Sequence, residues 1–174
     1  MRYVVLVLLG AVSALLSGTV LTANNTGGLH IDIVFLLAGS LMLREKSAMP
    51  IVFAALSGLL LDIFYSTVLG VYALSYTVSI AAIYIAIRNR KRPGLPEALI
   101  TGAGGYAIRE LMVGLIVYIL GARFELGYMM IRYILPSMLV NAGLMMLFYW
   151  LMGKLLKNNW MRPRVVYDED RLNF

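Results

Sequence analysis

The sequence contains no cysteine, a single histidine and only five prolines among its 174 residues. Without cysteine the chain forms neither disulfides nor thiolate metal sites. One histidine with one nearby carboxylate supplies neither a metal site nor a relay that activates a nucleophile. No GxSxG, HExxH, Walker or dinucleotide-binding motif occurs either, so we predict no catalytic residue, no metal and no cofactor.

Apolar residues, in contrast, make up 61% of the chain, and the mean hydropathy is +0.83. This composition predicts an integral membrane protein, because the apolar fraction is higher than a protein with a water-facing surface can carry. A chain of this length supplies about six spans of roughly 20 residues. We therefore predict an all-α bundle of about six transmembrane helices in residues 1–153, followed by a tail, residues 154–174, that is basic and then acidic. The predicted spans are residues 3–21, 31–43, 50–65, 68–87, 96–121 and 131–152.

The positive charges alternate along the chain, and this alternation predicts the orientation. Counting Arg2, twelve Lys and Arg residues precede the first run or follow an even-numbered run, whereas two follow odd-numbered runs. The positive-inside rule therefore predicts a multi-pass membrane protein with both termini in the cytoplasm. The net charge of +6 is then loop charge that sets topology, and we predict no nucleic-acid partner.

Charged residues inside the apolar runs need partners. Arg109 and Glu110 lie near the middle of the fifth run, where each costs about 3 kcal/mol in a bilayer. Adjacent helical residues point about 100° apart, so we expect each to find its partner elsewhere. Counted from the cytoplasmic ends of their helices, Asp62 lies about 18 Å deep and Arg109 about 20 Å deep. We therefore predict that Arg109 pairs with Asp62.

The same depth estimate places Asp32 and Asn141 at nearly this level. The predicted intramembrane polar layer thus comprises Asp32, Asp62, Arg109, Glu110 and Asn141. Two interpretations stay open, a structural clamp and the floor of an outward-facing pocket for a small solute. A channel or proton-coupled carrier is disfavoured, because no continuous line of polar residues crosses the chain.

Two groups of small residues also stand out. Gly10, Ala14 and Gly18 recur every four positions in the first run, so they share one helix face. Such a face lets two helix backbones approach, either inside the bundle or at the helix of a partner protein. The glycine-rich start of the fifth run, residues 101–105, predicts close packing or a soft point. His30, in a short outer segment, is interpreted as an interfacial loop residue.

The third run ends in a motif that resembles a known family. It reads Gly58-Leu59-Leu60-Leu61-Asp62, followed after a polar turn by Leu69-Gly70. In this motif, in length and in its six runs with little loop, the chain resembles the rod shape-determining membrane protein MreD family. The family motif maps onto Gly58, Leu59, Asp62, Leu69 and Gly70.

The resemblance implies a non-enzymatic scaffold of the bacterial cell-elongation machinery that supports lateral peptidoglycan synthesis. It implies direct binding to MreC, joint action with MreB, RodA and a penicillin-binding transpeptidase, contact with membrane lipid, and no small-molecule substrate. The family is also similar in layout to the substrate-binding S components of energy-coupling-factor vitamin transporters, so a solute-binding protein is the alternative. Short outer segments and the Gly10 face favour the scaffold.

Overall fold

A computed structural model describes residues 2–22, 29–45, 47–89, 93–121 and 130–156. Within these ranges the chain forms six α-helices and no strand, which confirms the all-helical prediction. All but the first three residues of the predicted tail, residues 154–174, lie outside the described ranges. The helices are α1 Arg2–Thr22, α2 Ile33–Glu45, α3 Met49–Tyr65, α4 Val71–Ile87, α5 Leu95–Ile119 and α6 Leu135–Leu155, the last preceded by a π-helical turn, Met130–Ile134.

Each apolar run coincides with one helix, and local chemistry sets the ends. α4 begins at Val71 rather than at residue 68, because Gly70 adopts a left-handed φ of 98° that only glycine tolerates easily. α5 begins as predicted around Pro96, in the first helical turn. The Glu97 carboxylate accepts the N–H of Gly94 at 2.8 Å, which caps the start of that helix.

The short helix α2 is the centre of the bundle. It packs against α1, α3, α4, α5 and α6, and every residue from Val34 to Leu43 is buried. A helix that is apolar on all sides belongs in a core, and the other five helices form its wall. At 13 residues, α2 is shorter than the five helices that surround it.

Glycines mark the points where the helices come closest. A Cβ on Gly58 would lie 2.7 Å from the Ala73 Cα, so α3 and α4 cross almost in backbone contact. In the glycine-rich stretch of α5, Gly102 faces the Met145 side chain and Gly105 faces Ile83. These contacts agree with the close packing expected of that stretch.

The small-residue face of α1 lies inside the bundle. A Cβ on Gly10 would lie 2.8 Å from the Ser57 Oγ, and one on Gly18 would collide with the Tyr65 ring. Ala14, between them, is buried. The face therefore packs on α3, and its interpretation as a docking surface for a partner helix is wrong.

The outer surface of the bundle is apolar. Large hydrophobic side chains on α1, α3, α4, α5 and α6 are exposed. Two helices, Leu95–Ile119 and Ile131–Leu155, are long and apolar enough to cross a membrane, and three shorter apolar helices accompany them. Within the described ranges, these two helices are candidate membrane spans by length and composition.

Candidate functional site

Asp32 organises a buried polar cluster at the start of α2. Its side chain is 1% exposed, and its Oδ1 accepts the N–H of Phe35 at 3.0 Å, the usual bond of a helix N-cap. Its Oδ2 accepts the hydroxyl of Tyr76 at 2.7 Å. The carboxylate is thus held by the N-terminus of its own helix and by α4.

Arg109 enters this cluster from α5. Its Nε lies 3.1 Å from the Asp32 Oδ2, and both side chains are almost fully buried. The Nε–H is not aligned on that oxygen, so the contact is an ion pair rather than a hydrogen bond. The other guanidinium nitrogens contact the Glu110 carboxylate and the Tyr76 hydroxyl, the latter at 3.4 Å. The guanidinium therefore joins α2, α4 and α5.

Three tyrosine rings surround the same guanidinium. The ring centroids of Tyr72, Tyr76 and Tyr106 lie 5.7, 5.2 and 5.9 Å from the Arg109 Cζ. At these distances each ring face attracts the cation. Aromatic surface therefore replaces much of the water that a buried guanidinium loses.

Asn141 connects α6 to the segment that precedes α2. Its Oδ1 accepts the N–H of Asp32 at 3.0 Å, and its Nδ2 donates to the carbonyl oxygens of His30 and Ser137 at 2.6 and 2.8 Å. The Ser137 hydroxyl accepts the His30 N–H at 2.9 Å. Burial and the nearby Arg109 guanidinium lower the pKa of the His30 imidazole below 6.5.

Asp62 caps the N-terminus of α4 instead. Its Oδ1 accepts the N–H of Tyr72 at 2.9 Å, and its Oδ2 accepts those of Gly70 and Ala73, both at 3.0 Å. These are the free donors at the N-terminus of α4, where the helix dipole also favours a negative charge. The predicted ion pair of Asp62 with Arg109 is therefore wrong.

Each charge of the predicted polar layer is offset within the protein. Asp32 and Asp62 each lie at a helix N-terminus, whose positive dipole end offsets a carboxylate. Arg109 and Glu110 form an ion pair, so the expectation that neighbouring residues would not pair is also wrong. A glutamate side chain is long enough to bend back across the 100° between adjacent positions. Of the predicted polar layer, all but Asp62 form one contact network.

Sequence reasoning missed the hydroxyl groups of this network, those of Tyr76 and Ser137. A buried tyrosine hydroxyl usually has a hydrogen-bond partner, so a tyrosine inside an apolar run, such as Tyr76, could have been predicted to join the polar layer. Within the described ranges, no three His, Asp or Glu side chains are arranged to hold a metal ion.

An apolar groove of about 280 Å³ lies between α1 and α3, and its lining shares no residue with the cluster. It is lined by Leu6, Val7, Met49, Val52, Phe53, Leu56, Ser57 and Leu60.

A second set of contacts joins α2, α5 and α6 at the helix ends farthest from the Asp32 cluster. The Nε and Nη2 of Arg44 donate to the carbonyl oxygen of Tyr149 at 3.2 and 3.0 Å. The Tyr149 hydroxyl in turn donates to the carbonyl oxygen of Pro93 at 2.5 Å. The end of α2, the approach to α5 and the end of α6 are thereby joined, a contact that the sequence did not predict.

Compared with known protein families, curated proteins and solved structures, the chain matches none.

Proposed function

We propose that the chain is a six-span protein of the bacterial cytoplasmic membrane with both termini in the cytoplasm. The exposed apolar side chains on five helices support this, since a soluble protein rarely carries so large an apolar surface. The contacts of Arg44 and Pro93 with Tyr149 also support it. They join three segments that carry most of the Lys and Arg residues. Under the positive-inside rule these segments should lie on the same, cytoplasmic side of the membrane.

Single-cysteine variants test this topology without background, because the natural chain has no cysteine. Thr67, between α3 and α4, and Arg88, after α4, are both exposed. We expect a membrane-impermeant maleimide on intact spheroplasts to label Thr67→Cys and not Arg88→Cys, which should react only after permeabilisation. Equal labelling of both from one side would contradict the six-span arrangement.

We propose further that the chain is a non-enzymatic scaffold of the cell-elongation machinery that binds MreC and acts with MreB, RodA and the transpeptidase. The observation that carries this proposal is the α3–α4 joint. Gly58 permits the close crossing, Asp62 caps α4 and Gly70 makes the turn. Three of the five residues behind the resemblance to the MreD family thus act together in one joint.

The closed polar cluster favours the scaffold over a solute-binding S component. Asp32, Arg109 and Asn141 are each at most 2% exposed and take their partners from the chain itself. A solute site instead presents polar groups to a cavity. The cluster therefore supports the clamp interpretation, in which the polar layer fixes helix positions.

Co-purification from the native membrane, with mass spectrometry of everything that stays bound, tests the scaffold. We expect MreC in near-equal amount. An ATPase pair with its coupling subunit, or a vitamin-sized ligand in place of MreC, would overturn the proposal in favour of the transporter.

A variant pair sharpens this experiment. Leu69 belongs to the motif but is 70% exposed, so its side chain is available to a partner. We expect Leu69→Ser to reduce MreC recovery without lowering protein yield. Ile85→Ser is the matched control, since Ile85 is 62% exposed on α4 outside the motif.

A further inference from the structure

Arg44 is an exposed cation that the structure holds in a fixed position. Its guanidinium donates twice to the Tyr149 carbonyl oxygen, and its Cζ lies 3.7 Å above the ring of the same tyrosine. Gly153 makes this possible, because a Cβ there would lie 2.7 Å from the Arg44 Cζ. The arginine is thus anchored on α6 and still exposed to the surroundings.

A second cation stands beside it. Lys154 follows Gly153, is exposed, and holds its Nζ 3.8 Å from the ring centroid of Trp150. Residues four apart are neighbours on a helix, so residues 149 and 153 form one ridge of α6 and residues 150 and 154 the next. Arg44 from α2 and Lys154 of α6, each over an aromatic ring, therefore lie on neighbouring ridges of the last turns of α6. The negative end of the helix dipole favours cations there.

The segments that meet near this pair carry more cations than acidic residues in the sequence. The Tyr149 hydroxyl bond to Pro93 draws in the loop that follows α4, whose first residue Arg88 is exposed. The acidic neighbour Glu45 is half-buried, and its Oε1 accepts the Ser47 hydroxyl at 3.1 Å. In the sequence, further cations adjoin these segments at Lys46, Arg90, Lys91, Arg92 and Lys157.

We propose that Arg44 and Lys154 bind the phosphate headgroup of an anionic phospholipid. The apolar flank of α6 identifies a lipid rather than a free anion. Leu147, Trp150 and Leu151 are 55%, 51% and 42% exposed beside the two cations. A ligand that contacts both the two cations and the apolar flank of α6 needs an anionic group and acyl chains. Basic residues at the cytoplasmic ends of helices bind such anionic headgroups. This inference rests on the membrane location proposed above.

Trp150 reports directly on this site. In a Trp160→Phe background it is the single tryptophan, so its fluorescence measures which lipid lies beside it. The protein would be reconstituted in phosphatidylcholine nanodiscs containing brominated phosphatidylglycerol or, at the same mole fraction, brominated phosphatidylcholine. We expect stronger quenching by the brominated phosphatidylglycerol. The preference should fall about fivefold for each cation removed, in Arg44→Gln and Lys154→Gln.

Arg132→Gln is the matched control, because Arg132 is exposed at the opposite end of α6 and its loss should leave the preference intact. Lys154→Gln keeps the Arg44 bonds to Tyr149, so the test survives if Arg44→Gln fails to fold. Equal quenching by both lipids, or an unchanged preference in Lys154→Gln, would overturn the lipid site alone. Quenching by neither lipid would overturn it together with the membrane location, whereas failure of the scaffold appears only as missing MreC.

Discussion

Replacing Asp62 by alanine removes the acceptor of three backbone N–H groups at once, those of Gly70, Tyr72 and Ala73. Loss of an N-cap acceptor costs about 0.5–2 kcal/mol, and each buried donor left without a partner costs about 1–3 kcal/mol. Because these terms overlap, we expect Asp62→Ala to lower the free energy of unfolding by about 3–4 kcal/mol. Asp62→Asn keeps one acceptor oxygen and should lose about half as much.

Unfolding by SDS in mixed micelles, followed by tryptophan fluorescence, measures these changes. Ser66→Ala is the control in the same turn, since the Ser66 hydroxyl bonds to the backbone of Val68 at an exposed site, and we expect it to cost about 0.5 kcal/mol or less.

Double-mutant cycles with Arg109→Gln decide which aspartate the arginine depends on. Residues in contact couple by about 0.5–3 kcal/mol, so Asp32→Asn should couple to Arg109→Gln, whereas Asp62→Asn should add to it within about 0.5 kcal/mol. Strong coupling with Asp62 instead would refute the contact scheme described above.

Two further predictions concern stability. Gly58→Ala places a methyl group 2.7 Å from the Ala73 Cα and should cost about 1–3 kcal/mol in the SDS titration, whereas Gly104→Ala, which meets open space in α5, should be neutral or stabilising by about 1 kcal/mol. Equal effects of the two substitutions would contradict the close α3–α4 crossing. Since the folded state lowers the pKa of His30, the unfolded chain takes up a proton first as the pH falls below 6.5, and stability should decrease there. His30→Gln should flatten this decrease between pH 7 and 5, and a pH profile unchanged by the substitution would contradict it.

Estimating how deep each residue lies from its helix end succeeded where two partners share the same depth. It brought Asp32, Arg109 and Asn141 to one layer, and these three residues are in contact through Asp32. It failed for Asp62 because depth carries no information about the direction in which a side chain points. Asp62 and Gly58 are four residues apart, so they share a helix face, and that face is the one that meets α4.

The contact of Arg44 with α6 was beyond sequence reasoning for a different reason. Its acceptor is the backbone carbonyl of Tyr149, and every residue of α6 has such a carbonyl, so the sequence does not single out this one. Only the absence of a side chain at Gly153 distinguishes this carbonyl, and a lone glycine near a helix end is usually read as a cap. Such a contact becomes visible once α2 and α6 are placed side by side.

The geometry of the α3–α4 joint also separates two kinds of residue within the motif that resembles the MreD family. Gly58, Asp62 and Gly70 are explained by the joint itself, because each is required for the close crossing, the cap or the turn. Leu59 and Leu69, in contrast, are 44% and 70% exposed, and the fold does not require leucine at either position. If a partner recognises the motif residues of this hairpin, it contacts the exposed leucines, while the glycines and the aspartate determine whether the hairpin forms at all.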